Sequence, residues 1–322
     1  MTEKVFLGID VGGTKTAVLL SARPPEALGR IEFATLPDEG PERALQLIVE
    51  SARSLLAQHG VGVKAIGVSC GSPLDRVKGI IQAPPNLSTW VDVPIRSLLE
   101  EAFDAPCQVE NDANAGAVAE HRFGAGVGTE HMVFLTLGTG LGAGIIANGG
   151  LYLGAGGDAG EIGHVRLSPT GPVGYHKAGS IEGWSSGGGM AQLAAQMLAR
   201  AGRSSSLHGV ENVTARDVGL AAQAGDAVAR SILRRSGERL GQTLAMLMDV
   251  LNPQRIVLGG LAWRMGEPFM APMRRVMERE ALPQTRRACE VVPAALGEKI
   301  GDVAAMCVAM GLEGKGQPLP DE

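Results

Sequence analysis

Short apolar runs that end in glycine alternate along this chain with longer stretches in which apolar residues recur every three or four positions. The first run is Val5-Phe6-Leu7-Gly8-Ile9-Asp10. Val11-Gly12-Gly13-Thr14-Lys15-Thr16 follows it, and Ala17-Val18-Leu19-Leu20 is apolar again. Two apolar runs around a glycine turn predict a β-hairpin. Residues 41–60 carry Ala44, Leu47, Ile48 and Leu55 at helical spacing, with Gly60 placed to end the helix. Val63-Lys64-Ala65-Ile66-Gly67-Val68-Ser69-Cys70 is nearly all apolar, the pattern of a strand covered on both faces. A turn-rich excursion through Gly71, Pro84-Pro85 and Trp90 follows. A helix over 94–102 and a strand ending at Val109 then complete an α/β series.

The same grammar then starts again. His131-Met132-Val133-Phe134-Leu135-Thr136-Leu137 predicts a strand, Gly138-Thr139-Gly140-Leu141-Gly142-Ala143-Gly144 a glycine turn, and Ile145-Ile146-Ala147 a returning strand. Two copies of one hairpin point to an internal duplication with a cleft between the halves. Helices are predicted over 190–201, 226–252 and 268–279, and Thr214 is placed to cap another. The stripe Leu233, Leu240, Leu244, Leu247 and Leu251 reads as core. Arg255-Ile256-Val257-Leu258 is a strand that ends in Gly259-Gly260, the third such turn. A small-residue helix follows at 301–312, and 314–322 lack an apolar pattern, predicting a disordered tail.

Composition adjusts this picture at its margins. A chain of 322 residues suits two domains, and at 3% aromatic content the cores must be built from Ala, Val, Leu, Ile and Met. A formal net charge of -5 without any Lys/Arg run argues against a nucleic-acid partner. Cys70, Cys107, Cys289 and Cys307 are far apart in sequence and form no CxxC. They read as buried thiols of a reduced, cytoplasmic protein. The first residues lack a secretory pattern, and no window is apolar enough to span a bilayer, so no membrane partner is expected.

Candidate chemistry gathers at the ends of the predicted strands. Glu110-Asn111-Asp112-Ala113-Asn114 lies at a strand-to-helix junction, where open α/β sheets place ligands. Asp112 can accept a proton and the asparagines can orient a ligand, although Asn and Asp are also ordinary helix caps. Gly12 and Gly13 let the backbone approach a phosphate, Thr14 offers a hydroxyl, Lys15 a positive charge, and Asp10 could hold Mg²⁺ through water. The same residues also make an ordinary Gly-Gly hairpin with Lys15 merely flanking it, and Asn86 could serve only to shape its turn. Gly154 to His164 is a glycine-rich loop with Glu161 and His164. Trp184 reads as packing, and His176 as a surface histidine.

Taken together, Asp10-Val11-Gly12-Gly13-Thr14-Lys15, Leu137-Gly138-Thr139-Gly140-Leu141-Gly142 and Leu258-Gly259-Gly260 resemble, in order, the phosphate 1, phosphate 2 and adenosine motifs of the actin-like ATPase superfamily. Glu110-Asn111-Asp112-Ala113-Asn114-Ala115 and Glu161-Ile162-Gly163-His164 narrow the resemblance to the ROK family of repressors and sugar kinases, over residues 5–312. This resemblance implies an α/β fold of the duplicated, ribonuclease H-like actin-ATPase type. Residues 1–115 with 300–313 would form the N-terminal lobe and 116–299 the C-terminal lobe, with the lobes closing over a sugar. It implies an ATP-dependent kinase, using Mg²⁺, that phosphorylates the C6 hydroxyl of glucose or a similar hexose. Asp112 would be the catalytic base. Gly71, Asn86, Asn111, Asp112, Glu161, His164 and Glu182 would bind the sugar. Asp10, Gly12, Gly13, Thr14, Lys15, Gly138, Thr139 and Gly140 would surround the phosphates, and Gly259 and Gly260 the nucleoside. A homodimer is implied as well.

One departure from the family pattern matters. Family members usually hold a structural zinc with the histidine at position 164 and three cysteines of a CxCGxxGCxE segment. Here Val173, Tyr175 and Ser180 occupy the cysteine positions, so no zinc is expected. Two other readings of the same fold stay open: a non-catalytic sugar sensor, and a kinase for an N-acetylhexosamine or fructose. A DNA-binding regulator is disfavoured, because no helix-turn-helix precedes Val5 and the chain is acidic.

Overall fold

The computed structural model describes residues 3–200, 202 and 204–311; the expected tail, 314–322, lies outside them. Contacts divide the chain into two units. The first holds the described residues up to 127, with 149–151 and 296–311; the second holds 128–148 and 152–295.

In the first unit the apolar runs become β1 (Lys4–Val11) and β2 (Lys15–Ser21), antiparallel across the glycine turn, with β3 (Gly29–Ala34) on the outer side of β2. Helix α1 (Pro41–His59) ends at Gly60, whose φ of 64° is the left-handed value that glycine supplies at a helix C-terminus. The chain returns as β4 (Gly62–Cys70), parallel to β1. After α2 (Ile95–Phe103), β5 (Cys107–Asn111) pairs parallel to β4, giving the order β3-β2-β1-β4-β5. Helix α3 (Asp112–Phe123) starts at the very next residue.

The second unit repeats the plan. β6 (Met132–Leu137) and β7 (Leu141–Ala147) are antiparallel across the second glycine turn. A small hairpin of β8 (Val173–Gly174) and β9 (Lys177–Ala178) precedes α4 (Ile181–Ser185) and α5 (Gly187–Arg200). Helix α6 (Ala215–Gln223) begins with a capping box in which the Thr214 amide donates to the Asp217 carboxylate at 2.9 Å. After α7 (Ala227–Leu251), β10 (Arg255–Leu258) lies parallel to β6. Then come α8 (Gly260–Met265), α9 (Glu267–Glu280), α10 (Pro283–Ala288) and β11 (Glu290–Pro293), which is parallel to β10. The leucine stripe of α7 is core: Leu233, Leu240 and Leu244 are fully buried. Gly237 and Gly241 let α9 lie directly against α7, since a Cβ at either would collide with the α9 backbone.

Helix α11 (Ile300–Met310) packs in the first unit. Its buried face, Val303 to Ala309, covers β1 and β4. Gly8 and Gly67 make that approach close: a Cβ on Gly8 would stand 3.3 Å from Ala305, and one on Gly67 would collide with the backbone of Ala305 and Ala309. Helix α3 also packs on α11, and the fully buried Glu120 accepts the Leu296 amide at 2.9 Å. These contacts place α3 in the first unit, which runs to Val127. Of the four cysteines, Cys70, Cys107 and Cys307 are buried, whereas Cys289 is only partly covered. Among the described residues no helix is long and apolar enough to cross a membrane.

The glycine contacts lead to a graded expectation. Gly67→Ala meets rigid backbone and should lower stability by about 1–3 kcal/mol or more, as overpacked cores do, while Gly8→Ala meets a looser contact and should cost less. Urea unfolding of both variants measures the difference.

Candidate active site

The parallel strands of the first unit deliver the acidic residues to one end of the sheet. Asp10 is paired with Ser69 across β1 and β4, and Asn111 with Cys70 across β4 and β5. The junction after β5 is sharply defined. Asn111 is the N-cap of α3: its side-chain oxygen accepts the amides of Ala113 at 2.9 Å and Asn114 at 3.2 Å. Its amide nitrogen donates to the Ser72 hydroxyl at 2.8 Å. The helix thus starts at Asp112, where the Asn111 cap fixes its first turn.

Glu110 was not among the expected site residues, yet it organises them. Its side chain is 1% exposed. One carboxylate oxygen accepts the Arg76 guanidinium at 2.9 Å; the other accepts the Asn111 amide at 2.9 Å and the Asn114 side chain at 3.1 Å. Arg76 is held in turn by its carbonyl, which accepts Arg96. A buried carboxylate persists only when its lone pairs are used and its charge is balanced, and this one has both. The sequence signal was the acid immediately before Asn111; its partner, 34 positions upstream, carried none.

Asp112 is open to solvent on one side. The protein packed around its carboxyl group nevertheless raises its pKa above the ordinary carboxylate range, against backbone amide bonds that lower it. Asp10 is pushed further, from 3.8 to about 7. Burial is the main cause, the charges of Asp112 and Asp302 add to it, and Ser69 and Lys15 oppose it. Asp302 and Gly301 stand at the start of α11, and a Cβ at Gly301 would collide with the Asp10 carboxylate. Nothing in the local sequence connects residue 10 with residue 301.

The first glycine turn closes with the Gly12 amide donating to the Lys15 carbonyl at 3.0 Å. Thr35 buttresses it: its hydroxyl donates to the Gly12 carbonyl at 2.6 Å and its amide to the Thr14 carbonyl at 3.1 Å. The expected Asn86 lies against this turn, since a Cβ on Gly13 would come within 2.6 Å of it, and its side-chain oxygen would be 3.3 Å from a Cβ on Gly71. Gly13, Gly71 and Asn86 are therefore together. Lys15 points elsewhere: its ammonium pairs with Glu32 at 3.0 Å and is 62% exposed.

In the second unit the turn at 138–140 is supported by α5. The Gly187 amide donates to the Gly138 carbonyl at 2.8 Å and the Gly188 amide to the Thr139 carbonyl at 3.0 Å. Glu182 also touches this turn, its carboxylate accepting the Leu141 amide at 3.0 Å. One carboxylate thus links the glycine turn to the segment that carries Glu161 and His164. Glu161 and His164 flank a short 3-10 turn, both exposed, and the His164 ring meets Tyr175 edge-on at 6.1 Å. The amide of Gly259 donates to the Leu135 carbonyl at 2.8 Å, and a Cβ there would crowd the Leu137 nitrogen at the same distance, so the turn that opens α8 demands glycine. Val173, Tyr175 and Ser180 supply no thiolate, and among the described residues no group of three or more His, Cys, Asp or Glu is placed to hold a metal ion.

Comparison with known proteins identifies the family of the chain. The model of the ROK family matches residues 6–311. The chain is 34% identical over 311 residues to a glucokinase of Halalkalibacterium halodurans, a match that spans 94% of this chain and 93% of that one. Among solved structures it is similar to a ROK hexokinase from Thermus thermophilus, with a TM-score of 0.82 and 32% identity over 95% of this chain and 98% of the other. It is also similar to a ROK family glucokinase from Streptomyces griseus in complex with glucose and AMPPNP, with a TM-score of 0.74 and 31% identity over 95% and 99% of the two chains. With a family match from Phe6 to Gly311, both glycine turns in place and Asp112 at the head of α3, the chain belongs to the ROK family.

Proposed function

We propose that this protein is an ATP-dependent hexokinase of the glucokinase type, transferring the γ-phosphoryl group of ATP to the C6 hydroxyl of glucose. The observation that carries the reading is Asp112, a carboxylate of raised pKa fixed at a helix start by the Asn111 cap and the buried Glu110. The relatives named as glucokinases, and the similar structure described with glucose and AMPPNP, support the choice of sugar and donor.

Phosphoryl transfer needs positioning, charge neutralisation and a proton acceptor. Asp112 takes the proton of the attacking hydroxyl, and a pKa lifted toward neutrality improves the match between base and proton. Asn86 and Gly71 hold the sugar in the first unit; Asn111, with its side chain engaged by the α3 cap and Ser72, contributes chiefly by fixing Asp112. Glu161, His164 and Glu182 bond sugar hydroxyls in the second unit. The glycine turns at 12–14 and 138–140 surround the phosphates, although the amides of Gly12 and Gly138 are spent within the turns on the Lys15 and Gly140 carbonyls, and Gly259 and Gly260 border the nucleoside. Lys15, tied to Glu32, adds positive field and no direct bond.

The acidic residues also fit Mg²⁺. Asp10 is kept close to half-protonated at neutral pH partly by the charge of Asp112, a tension that a divalent cation would relieve, and both offer the hard oxygens that this ion prefers. Asp10 would hold it through water, and when bound with ATP it neutralises the phosphate oxygens. A cytoplasmic homodimer acting without nucleic acid completes the reading, in line with the free cysteines and the acidic charge.

Two outcomes are expected. Incubation with ATP, Mg²⁺ and glucose should yield glucose-dependent ADP. Asp112→Asn should lower kcat by about 10²–10⁴ with the circular dichroism spectrum unchanged; a protein that makes no ADP with any common hexose sinks the proposal. The second outcome concerns stability. Folded Asp10 holds its proton up to about pH 7 while the unfolded chain releases it near 3.8, so its effect on stability worsens as pH rises through that window. In Mg²⁺-free buffer Asp10→Asn should therefore melt higher than the parent at pH 8, by on the order of 2–4 kcal/mol, with the gap closing toward pH 4. Thermal melts across that range read the sign directly.

A further inference from the structure

We infer that Gln192 is a positioning residue that holds the sugar-binding segment of this protein by hydrogen bonds, in place of the zinc that family members use there. The inference rests on the kinase reading above and goes beyond it by naming what fixes Glu161, His164 and Glu182. It starts from a misfit. A tetrahedral zinc site needs thiolate or imidazole ligands, and positions 173, 175 and 180 offer an alkyl group, a phenol and a hydroxyl. His164 alone cannot complete such a site.

What the segment has instead is a series of polar contacts. The Gln192 side chain sits beside the edge of β8 and acts like a neighbouring strand. Its oxygen accepts the Val173 amide at 2.9 Å, and its nitrogen donates to the Val173 carbonyl at 2.8 Å. Ser180 caps α4 by accepting the Gly183 amide at 3.1 Å. The Gly179 carbonyl accepts Leu167 and Ser168, the Ile181 amide donates to Val165, and the Lys177 ammonium donates to the His164 carbonyl at 2.8 Å. Backbones meet directly where side chains are missing: a Cβ on Gly174 would lie 2.6 Å from the Gly183 amide, and one on Gly183 would collide with the Pro172 carbonyl.

The hairpin needs this outside support. Its two turn residues, Tyr175 and His176, both adopt left-handed conformations, with φ of 38° and 62°, which L residues with side chains disfavour. Gln192 lies on α5, and the first amides of α5 hold the Gly138 and Thr139 carbonyls. One helix therefore fastens the second glycine turn at its start and the sugar-binding segment less than two turns later. Loss of the clamp should loosen the segment while leaving the glycine turn held.

The test compares the full-length protein with Gln192→Ala and Gln192→Glu, the latter keeping the acceptor and losing the donor. Hydrogen exchange read by mass spectrometry should speed up across residues 165–182 in Gln192→Ala and remain near the parent over 132–147. The KM for glucose should rise about fivefold, as expected for two exposed hydrogen bonds, with the KM for ATP nearly unchanged and Gln192→Glu intermediate. Treatment with a strong zinc chelator, followed by return of Mg²⁺, should leave the melting temperature and the activity unaltered. Stoichiometric zinc in the purified protein, exchange in Gln192→Ala equal to that of the parent, or an unchanged glucose KM in a loosened but active variant would each overturn the inference. If the parent itself shows no kinase activity, the kinase reading fails separately, and hydrogen exchange still decides whether the clamp exists.

Discussion

The buried carboxylate of Glu110 is the constraint on which the acidic end of the first sheet depends. A charge in that position must be balanced and its lone pairs filled, and the structure does so with Arg76, the Asn111 amide and the Asn114 side chain. Each partner is thereby fixed to one place. Asn111 is held where its side chain caps α3, Asn114 is drawn to the inner face of the helix, and Asp112 lies between them in its first turn. The excursion that carries Arg76 also leads to Asn86 against the first glycine turn. The ion pair thus ties a surface loop to the residue proposed to accept the proton.

Around this fixed point the chain tolerates electrostatic strain. Burial and the charge of Asp112 raise the energy of the charged form of Asp10, and Asp302, at the start of α11, adds to it. A fold selected for stability alone would not keep three acids so close. Their persistence is understandable if the arrangement serves a cation and phosphate oxygens that arrive together. Helix α11 contributes twice: its small residues cover β1 and β4 through Gly8 and Gly67, and its first turn crowds Asp10 through Gly301.

The two glycine hairpins share a backbone plan and differ in how they are braced. The first leans on Thr35, whose hydroxyl and amide bind its carbonyls. The second leans on the first amides of α5 and on the Glu182 carboxylate. A helix start is a natural donor to carbonyls, because its first amides have no partner within the helix. This bracing makes α5 the member that links the second glycine turn to the hairpin at Val173 in the second unit.

Much of this was legible in the sequence by itself. Apolar runs of period-free character marked the central strands, helical spacing marked α1 and α7, and Thr214 marked the start of α6, all because local geometry and burial act on neighbours in the chain. The repeated strand, turn and strand revealed the duplication, and the order of the motifs gave the family. Other features depended on residues that no local pattern connects. Arg76 with Glu110, Gly301 with Asp10 and Gln192 with Val173 are contacts created by folding, and each involves a side chain whose type would be ordinary anywhere on a surface. The placement of α3 with the first unit was likewise decided by Glu120 and α11, not by spacing. Sequence fixes which stretches prefer to be strand or helix, because those preferences are set within a few residues. Which charges meet, and therefore which carboxylates are strained and which are at rest, is set by the tertiary structure alone, since Coulomb interaction depends on distance in space and not on separation along the chain.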